Sequence, residues 1–96
     1  MKKTFELTDP KLRSERKIEM IKGQINKYIK RERRKNLPDG FDFWDFDCYL
    51  GDSIDTKKNV HIAEIPKFID DVYQRELKSF YIELTSSPRK RLKKQD

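Results

Sequence analysis

The spacing of hydrophobic residues divides the chain into six predicted elements. Residues 14–35 and 65–77 repeat hydrophobic side chains every three to four positions, which is typical of amphipathic helices. The other four elements are strands, because hydrophobic and polar residues alternate in them. They are residues 3–8, 41–50, 60–63 and 80–85. The predicted order is β-α-β-β-α-β, with a polar hairpin loop over residues 51–59.

The first predicted helix has a hydrophobic side and a basic side. The hydrophobic stripe consists of Ile18, Ile21, Ile25, Tyr28 and Ile29. At about 100° per residue, the opposite side carries five bases, which are Arg16, Lys27, Lys30, Arg31 and Arg34. A turn is predicted at residues 38–40, Pro-Asp-Gly, and ends the helix.

The strand predicted over residues 41–50 also has two different faces. Trp44, Phe46, Cys48 and Leu50 share the face expected in the core. The other face carries alternating aromatic and acidic residues, namely Phe41, Phe43, Asp45, Asp47 and Tyr49. Exposed aromatic residues in a group are unusual in a monomeric domain, so this face is a candidate surface for a partner.

The predicted fold class is α+β, and the most favoured fold is a ferredoxin-like plait. Two split βαβ units of right-handed connection give a four-stranded antiparallel sheet with both helices on one face. A three-stranded sheet without the strand at residues 60–63 is the alternative. We expect one core, which contains Trp44, Phe46, Ile21, Ile25, Phe68, Ile69, Phe80 and Ile82. The predicted division is a single domain over residues 1–87 and a basic, disordered C-terminal tail over residues 88–96.

Charge is distributed very unevenly along the 96 residues, whose net charge is +6. Residues 11–35 hold eleven Lys or Arg and three Glu, a balance of +8. Residues 39–55 hold six Asp and no base, a balance of −6, and residues 89–96 hold five bases and one Asp, a balance of +4. The basic blocks could bind a polyanion, whereas the acidic block would repel one.

Four segments resemble a family of small bacterial proteins, about one hundred residues long, of unknown function. They are MKKTFELTDPK at residues 1–11, KRERRKNLPDGFDFWDFDC at 30–48, VHIAEI at 60–65 and FYIELTSSP at 80–88. The resemblance covers nearly the whole chain and implies a bacterial source and one intact domain. It assigns no activity, cofactor, partner or site residue.

The basic blocks favour a binding module that contacts nucleic acid, either RNA or DNA or the ribosome. Lys and Arg neutralise phosphates and release counterions, and Arg can hold a phosphate through two hydrogen bonds. The expected contact residues are the helix bases Arg16, Lys27, Lys30, Arg31 and Arg34 and the tail bases Arg89, Lys90 and Arg91. The sheet face is not expected to contribute, because Glu6, Asp45, Asp47 and Glu83 would make it acidic. The competing interpretation is a solvated helix face and a solubilising tail.

The alternative function is a protein-interaction module, with a homodimer as the expected assembly. Phe41, Phe43 and Tyr49 would form the contact surface, and a strand at the sheet edge could pair with a second chain. The competing interpretation is that strand twist, the loop over residues 51–59 or the tail covers these aromatic residues.

No enzyme or cofactor is predicted. Asp42, Asp45 and Asp47 could hold Mg²⁺ or Ca²⁺, but their spacing does not match an EF-hand, and pairing with arginines explains them as well. Asp45 and His61 could form an acid–base pair, although no nucleophile accompanies them. Cys48 is the single cysteine, so an internal disulfide is excluded. The chain opens with no secretory signal and has no long apolar run, so a cytoplasmic location without membrane contact is expected.

Overall fold

A computed structural model describes residues 1–91, which form four strands and two helices. The strands are β1 (Lys2–Glu6), β2 (Phe43–Gly51), β3 (Lys58–Val60) and β4 (Ser79–Arg89). The helices are α1 (Ser14–Arg33) and α2 (Ile65–Gln74). Two short 3₁₀ turns, Ile54–Thr56 and Ile62–Glu64, lie on either side of β3. The predicted order of elements and the α+β class are confirmed, and the three-stranded alternative is wrong.

The four strands form one antiparallel sheet in the order β1-β4-β2-β3. A ferredoxin-like plait places its first and third strands in the centre. Here the second and fourth strands are central, so the predicted plait is not the arrangement found. Element order alone does not choose between these two arrangements, because each joins the same elements through two split βαβ units.

Both helices pack on one face of the sheet and enclose the core. Six of the eight predicted core residues are buried there, namely Ile21, Ile25, Phe46, Ile69, Phe80 and Ile82. Phe68 is partly buried against the same cluster. Trp44 is only half-buried and lies outside the core cluster, so its predicted role as a core anchor is wrong. Its indole N–H instead donates to the carbonyl oxygen of Lys35 at 2.9 Å, at the end of α1.

β4 is longer than predicted and extends through Pro88 to Arg89. Its last five residues pair only with the first five of β2, from Phe43↔Arg89 to Asp47↔Thr85. The pairing of β1 with β4 ends at Glu83, and the pairing of β3 with β2 ends at Cys48. Residues 43–47 and 85–89 therefore form a two-stranded ribbon that extends beyond the four-stranded part of the sheet. The tail predicted to be disordered begins inside this ribbon, and residues 92–96 of it lie outside the described part of the chain.

The second face of the sheet is partly covered. Tyr81 and Glu83 point to this face and are 7% and 8% exposed. Lys57 forms an ion pair of 2.7 Å with Glu83, which also accepts a hydrogen bond of 2.7 Å from the Tyr81 hydroxyl. The Lys57 side chain, from the segment between β2 and β3, thus covers part of this face, and the predicted open acidic face is wrong at Glu83.

Candidate nucleic-acid interface

The five helix bases identified from the sequence all lie exposed on α1 or at its C-terminal cap. Arg16, Lys27, Lys30, Arg31 and Arg34 are exposed, and none forms a salt bridge within residues 1–91. The last four are spaced at i, i+3, i+4 and i+7, which places them on one side of the helix over about 10 Å. This side of α1 is therefore a compact group of unneutralised positive charges.

Elsewhere in the described chain, many carboxylates are neutralised by nearby bases. Arg75 binds both oxygens of Asp52 at 2.8 and 2.9 Å and also contacts Asp71 at 2.9 Å. Lys22 contacts Asp70 at 2.7 Å. These acids pair with bases that do not lie on the outer side of α1. The positive charges on that side are therefore not neutralised by them.

The C-terminal end of α1 and the end of β4 lie at the same end of the molecule. Trp44 connects them, since its indole binds the Lys35 carbonyl and its backbone lies opposite Pro88 in the ladder. Arg33 reinforces this junction, with its guanidinium 5.6 Å from the centre of the Phe46 ring. Lys30, Arg31 and Arg34 are thereby placed at the end of the molecule where the tail bases begin.

Arg16 is separate from this group. It lies eighteen residues before Arg34, a distance of about 27 Å along a helix. The predicted contact surface is therefore interrupted between Arg16 and Lys27, and it joins the tail bases only at the C-terminal end of α1.

The three tail bases differ in their surroundings. Arg89 is shared between Asp45 at 3.5 Å and Asp47 at 3.7 Å, which neutralises much of its charge. The Lys90 ammonium lies 5.8 Å from the centre of the Phe41 ring, a cation–π contact. The Arg91 backbone N–H donates to Asp42, and its side chain forms no salt bridge within residues 1–91. Lys90 and Arg91 are thus better placed than Arg89 to receive a phosphate.

The aromatic residues predicted as a protein-interaction surface are separated by the fold. Phe41 and Phe43 are each 37% exposed and lie beside the tail bases, Phe43 as the first residue of β2 and Phe41 two residues before it. Tyr49 is half-buried in the four-stranded part of the sheet, where Lys57 lies 5.4 Å from its ring centre. The expected patch of three is therefore reduced to Phe41 and Phe43.

A buried carboxylate, Glu32, forms an ion pair with Lys35 at the C-terminal end of α1. Glu32 is buried, and the neighbouring Lys35 ammonium holds the pKa of this carboxyl below its ordinary value, with a smaller contribution from Tyr28. Burial in turn raises the pKa of the Tyr28 hydroxyl, and the charge of Glu32 adds to that shift. Glu32 thus remains ionised and orients Lys35.

The remaining chemical groups offer less. Cys48 is fully buried, and burial raises the pKa of its thiol to about 11, so it is a poor nucleophile. Within residues 1–91, no three His, Cys, Asp or Glu side chains come together as metal ligands. The described helices include none that is long and apolar enough to cross a membrane.

Asn26 and Arg33, on this half of α1, were not among the predicted contact residues, and His61 was considered only as a partner of Asp45. Arg33 and His61 line a groove between α1 and the start of α2, together with Asn26. The spacing of Asn26 and Arg33 on α1 places them on one side, but only the packing of the second helix turns that side into a groove.

Comparison with protein families matches residues 1–95 to a family of unknown function (DUF6172). No curated protein and no solved structure matches the chain. The resemblance to a small family of unknown function is confirmed, while the bacterial source remains a prediction.

Proposed function

The chain belongs to DUF6172, a family of unknown function, and we propose that it is a non-enzymatic module that binds nucleic acid. The phosphate backbone of an RNA, free or in the ribosome, would lie along the outer side of α1. The contact residues would be Lys27, Lys30, Arg31 and Arg34, joined at the end of the helix by Lys90 and Arg91.

One observation carries the proposal. The bases on the outer side of α1 are exposed and form no salt bridge within residues 1–91, whereas five other bases are each paired with an acid, namely Lys22, Lys35, Lys57, Arg75 and Arg89. Unpaired cations repel each other, so a surface of this kind lowers stability unless an anion neutralises it. A polyphosphate backbone supplies that neutralisation and releases its counterions.

Exposed aromatic residues next to these bases favour single-stranded over double-stranded nucleic acid. Phe41 and Phe43 are separated in sequence by the single residue Asp42, and Lys90 lies against the Phe41 ring. Proteins that bind single strands combine a basic track with aromatic rings on which bases stack. The contacts are to phosphates and to ring faces, so binding should tolerate many sequences.

The test is fluorescence anisotropy with a labelled single-stranded RNA, measured over a range of salt concentrations. The wild-type chain should bind, and affinity should fall steeply with salt. The triple variant Lys30→Glu, Arg31→Glu and Arg34→Glu should abolish binding at low salt. A milder Lys30→Gln and Arg34→Gln variant should reduce the salt slope by about 1.4, since each phosphate contact to a single strand contributes roughly 0.7.

A matched control separates local contacts from total charge. Lys58→Glu, Lys67→Glu and Lys78→Glu change the net charge by the same amount, at exposed positions away from the outer side of α1. This control should keep most of the affinity. Equal losses in the two triple variants, or no RNA binding by the wild type at low salt, would contradict the proposal.

A second candidate function is pairing with another chain along the free edge of β2. The Asn59 side chain donates to the Cys48 carbonyl, so the backbone groups of Cys48 point toward β3. Every second residue of a strand directs its backbone groups to the same neighbour, so those of Phe46 and Trp44 point to this side as well. The pairing with β3 ends at Cys48, so no strand meets them there. The Asp45 carboxylate already accepts from the Phe46 N–H at 2.8 Å, which partly protects this edge. If RNA does not bind and light scattering gives the mass of a dimer that Phe41→Ser with Phe43→Ser abolishes, this second function would be supported.

A further inference from the structure

A groove opens between the two helices because they differ in length. α1 has 20 residues and α2 has 10, about 30 Å and 15 Å respectively. The helices run antiparallel, since Tyr73 near the end of α2 bonds Glu15 and Asp70 in its middle contacts Lys22. α2 therefore begins beside the middle of α1, and only the 3₁₀ turn Ile62–Glu64 stands beside the second half.

The floor of this groove is apolar and consists of core residues. Its volume is about 410 Å³, which is within the range of small-molecule sites. Ile25, Ile29 and Ile65 form the floor and are all buried in the main core. Since these residues are fixed by core packing, the groove exists before any ligand enters.

The polar side chains that line the groove can all donate a hydrogen bond, as an anion requires. Lys22, Asn26 and Arg33 line one wall, at positions that share one side of α1. His61 lines the other wall, and its Nδ1 accepts the Ala63 backbone N–H at 3.0 Å. That bond leaves the Nε2–H of the neutral ring as a donor.

No acidic side chain lines the groove among the described residues. Lys22 is already paired with Asp70, whereas Arg33 forms no salt bridge within residues 1–91. Arg33 is thus the cation with remaining capacity, and its planar guanidinium suits a carboxylate.

We propose that this groove binds a small amphipathic carboxylate, with its hydrocarbon or aromatic body on the isoleucine floor and its carboxylate at Arg33. Asn26 and His61 would supply further hydrogen bonds to the carboxylate. The site lies on the side of α1 that faces α2, so it is separate from the bases proposed to contact RNA.

The test uses 2-naphthoate as the probe and naphthalene-2-carboxamide as its neutral analogue. Two-dimensional ¹H–¹⁵N NMR spectra of the full chain, recorded during titration, locate and quantify binding. We expect 2-naphthoate to shift the amide resonances of residues 22–33 and 61–66. The carboxamide should bind about tenfold more weakly, because it lacks the charge that Arg33 pairs with.

Two variants and a control define the site. Arg33→Gln should weaken 2-naphthoate binding about tenfold and remove the preference for the anion. Ala63→Trp, at an exposed position of the wall, should block the groove. Lys17→Gln removes the same charge from α1 outside the groove and should change affinity less than twofold.

Three results would overturn the inference. They are absence of resonance shifts at millimolar 2-naphthoate, shifts confined to other parts of the chain, and equal affinity for the acid and the amide. An equal effect of Lys17→Gln and Arg33→Gln would overturn it as well, because attraction would then follow net charge alone.

Discussion

At the scale of single residues, two glycines with opposite surroundings show how local space is used. Gly51 ends β2, and an added Cβ there would lie 2.6 Å from the Lys57 backbone nitrogen and 2.8 Å from the Ser53 carbonyl oxygen. Gly23 lies on the exposed side of α1, and apart from the adjoining helix backbone no heavy atom lies within 4 Å of such a Cβ. The first glycine permits a close approach of two backbone segments, whereas the second only weakens a helix.

Alanine substitutions at these glycines should therefore have opposite effects. Gly51→Ala should lower the free energy of unfolding by about 1–3 kcal/mol, because backbone atoms cannot easily move away from the added methyl group. Gly23→Ala should raise it by about 0.5–1 kcal/mol, through the higher helix propensity of alanine. Urea unfolding followed by circular dichroism measures both, and two changes of the same sign would contradict the interpretation.

At the scale of elements, one side chain joins the segment between β2 and β3 to the central strand β4. Lys57 carries the contact, because it reaches Glu83 at 2.7 Å and lies over the Tyr49 ring. The hydrogen bond from Lys57, and to a smaller extent the one from Tyr81, holds the pKa of the Glu83 carboxyl below its ordinary value. The charge of Glu83 is therefore part of how the loop is fixed to the sheet.

Glu83→Gln should destabilise the protein by roughly 1–3 kcal/mol at neutral pH, since charge-assisted hydrogen bonds in a buried position are lost. Asp47→Asn is the matched control on the same face, because Asp47 is exposed and its contact with Arg89 is 3.7 Å. The control should change stability by less than about 0.5 kcal/mol. Similar values for the two variants in urea unfolding would show that the loop contributes little.

At the scale of the whole molecule, the sheet has a four-stranded part and a two-stranded ribbon. The described molecule is elongated, with extents of 54 × 24 × 22 Å. In the ribbon, each strand has one pairing neighbour, whereas central strands in the four-stranded part have two. The ribbon ends at Phe43 and Arg89, and Lys90 and Arg91 follow directly, so the least supported part of the sheet adjoins the proposed RNA-binding end.

The ribbon should open independently of the rest of the sheet. Native-state hydrogen exchange should give protection factors at residues 43–47 and 85–89 at least about tenfold below those at residues 48–50 and 80–84, because fewer hydrogen bonds hold each strand. Bound RNA should raise the protection factors of the ribbon residues but not those of the four-stranded part. Uniform protection along β2 and β4 in the free protein would contradict this expectation.

Local sequence patterns were sufficient for the elements and for much of the core. The isoleucine spacing of α1 and the alternation in β4 predict which side of each is buried, and the buried residues Ile21, Ile25, Phe80 and Ile82 agree with that. Exposure of the helix bases was predictable for the same reason, because a helix has only one side to bury.

The arrangement of those elements was decided only in three dimensions. Alternation cannot tell which strands are neighbours, so it did not exclude the plait order or find the partners of Phe43–Asp47 along β4. Trp44 alternates with core residues but lies past the reach of the flanking strands, where burial is incomplete. Arg89 is distant in sequence from Asp45 and Asp47, and it forms ion pairs with them only because β4 pairs with β2. The groove at Arg33 and His61 arises because α2 is half the length of α1. Sequence periodicity thus determined which side of each element faces inward, and tertiary packing determined which residues meet there.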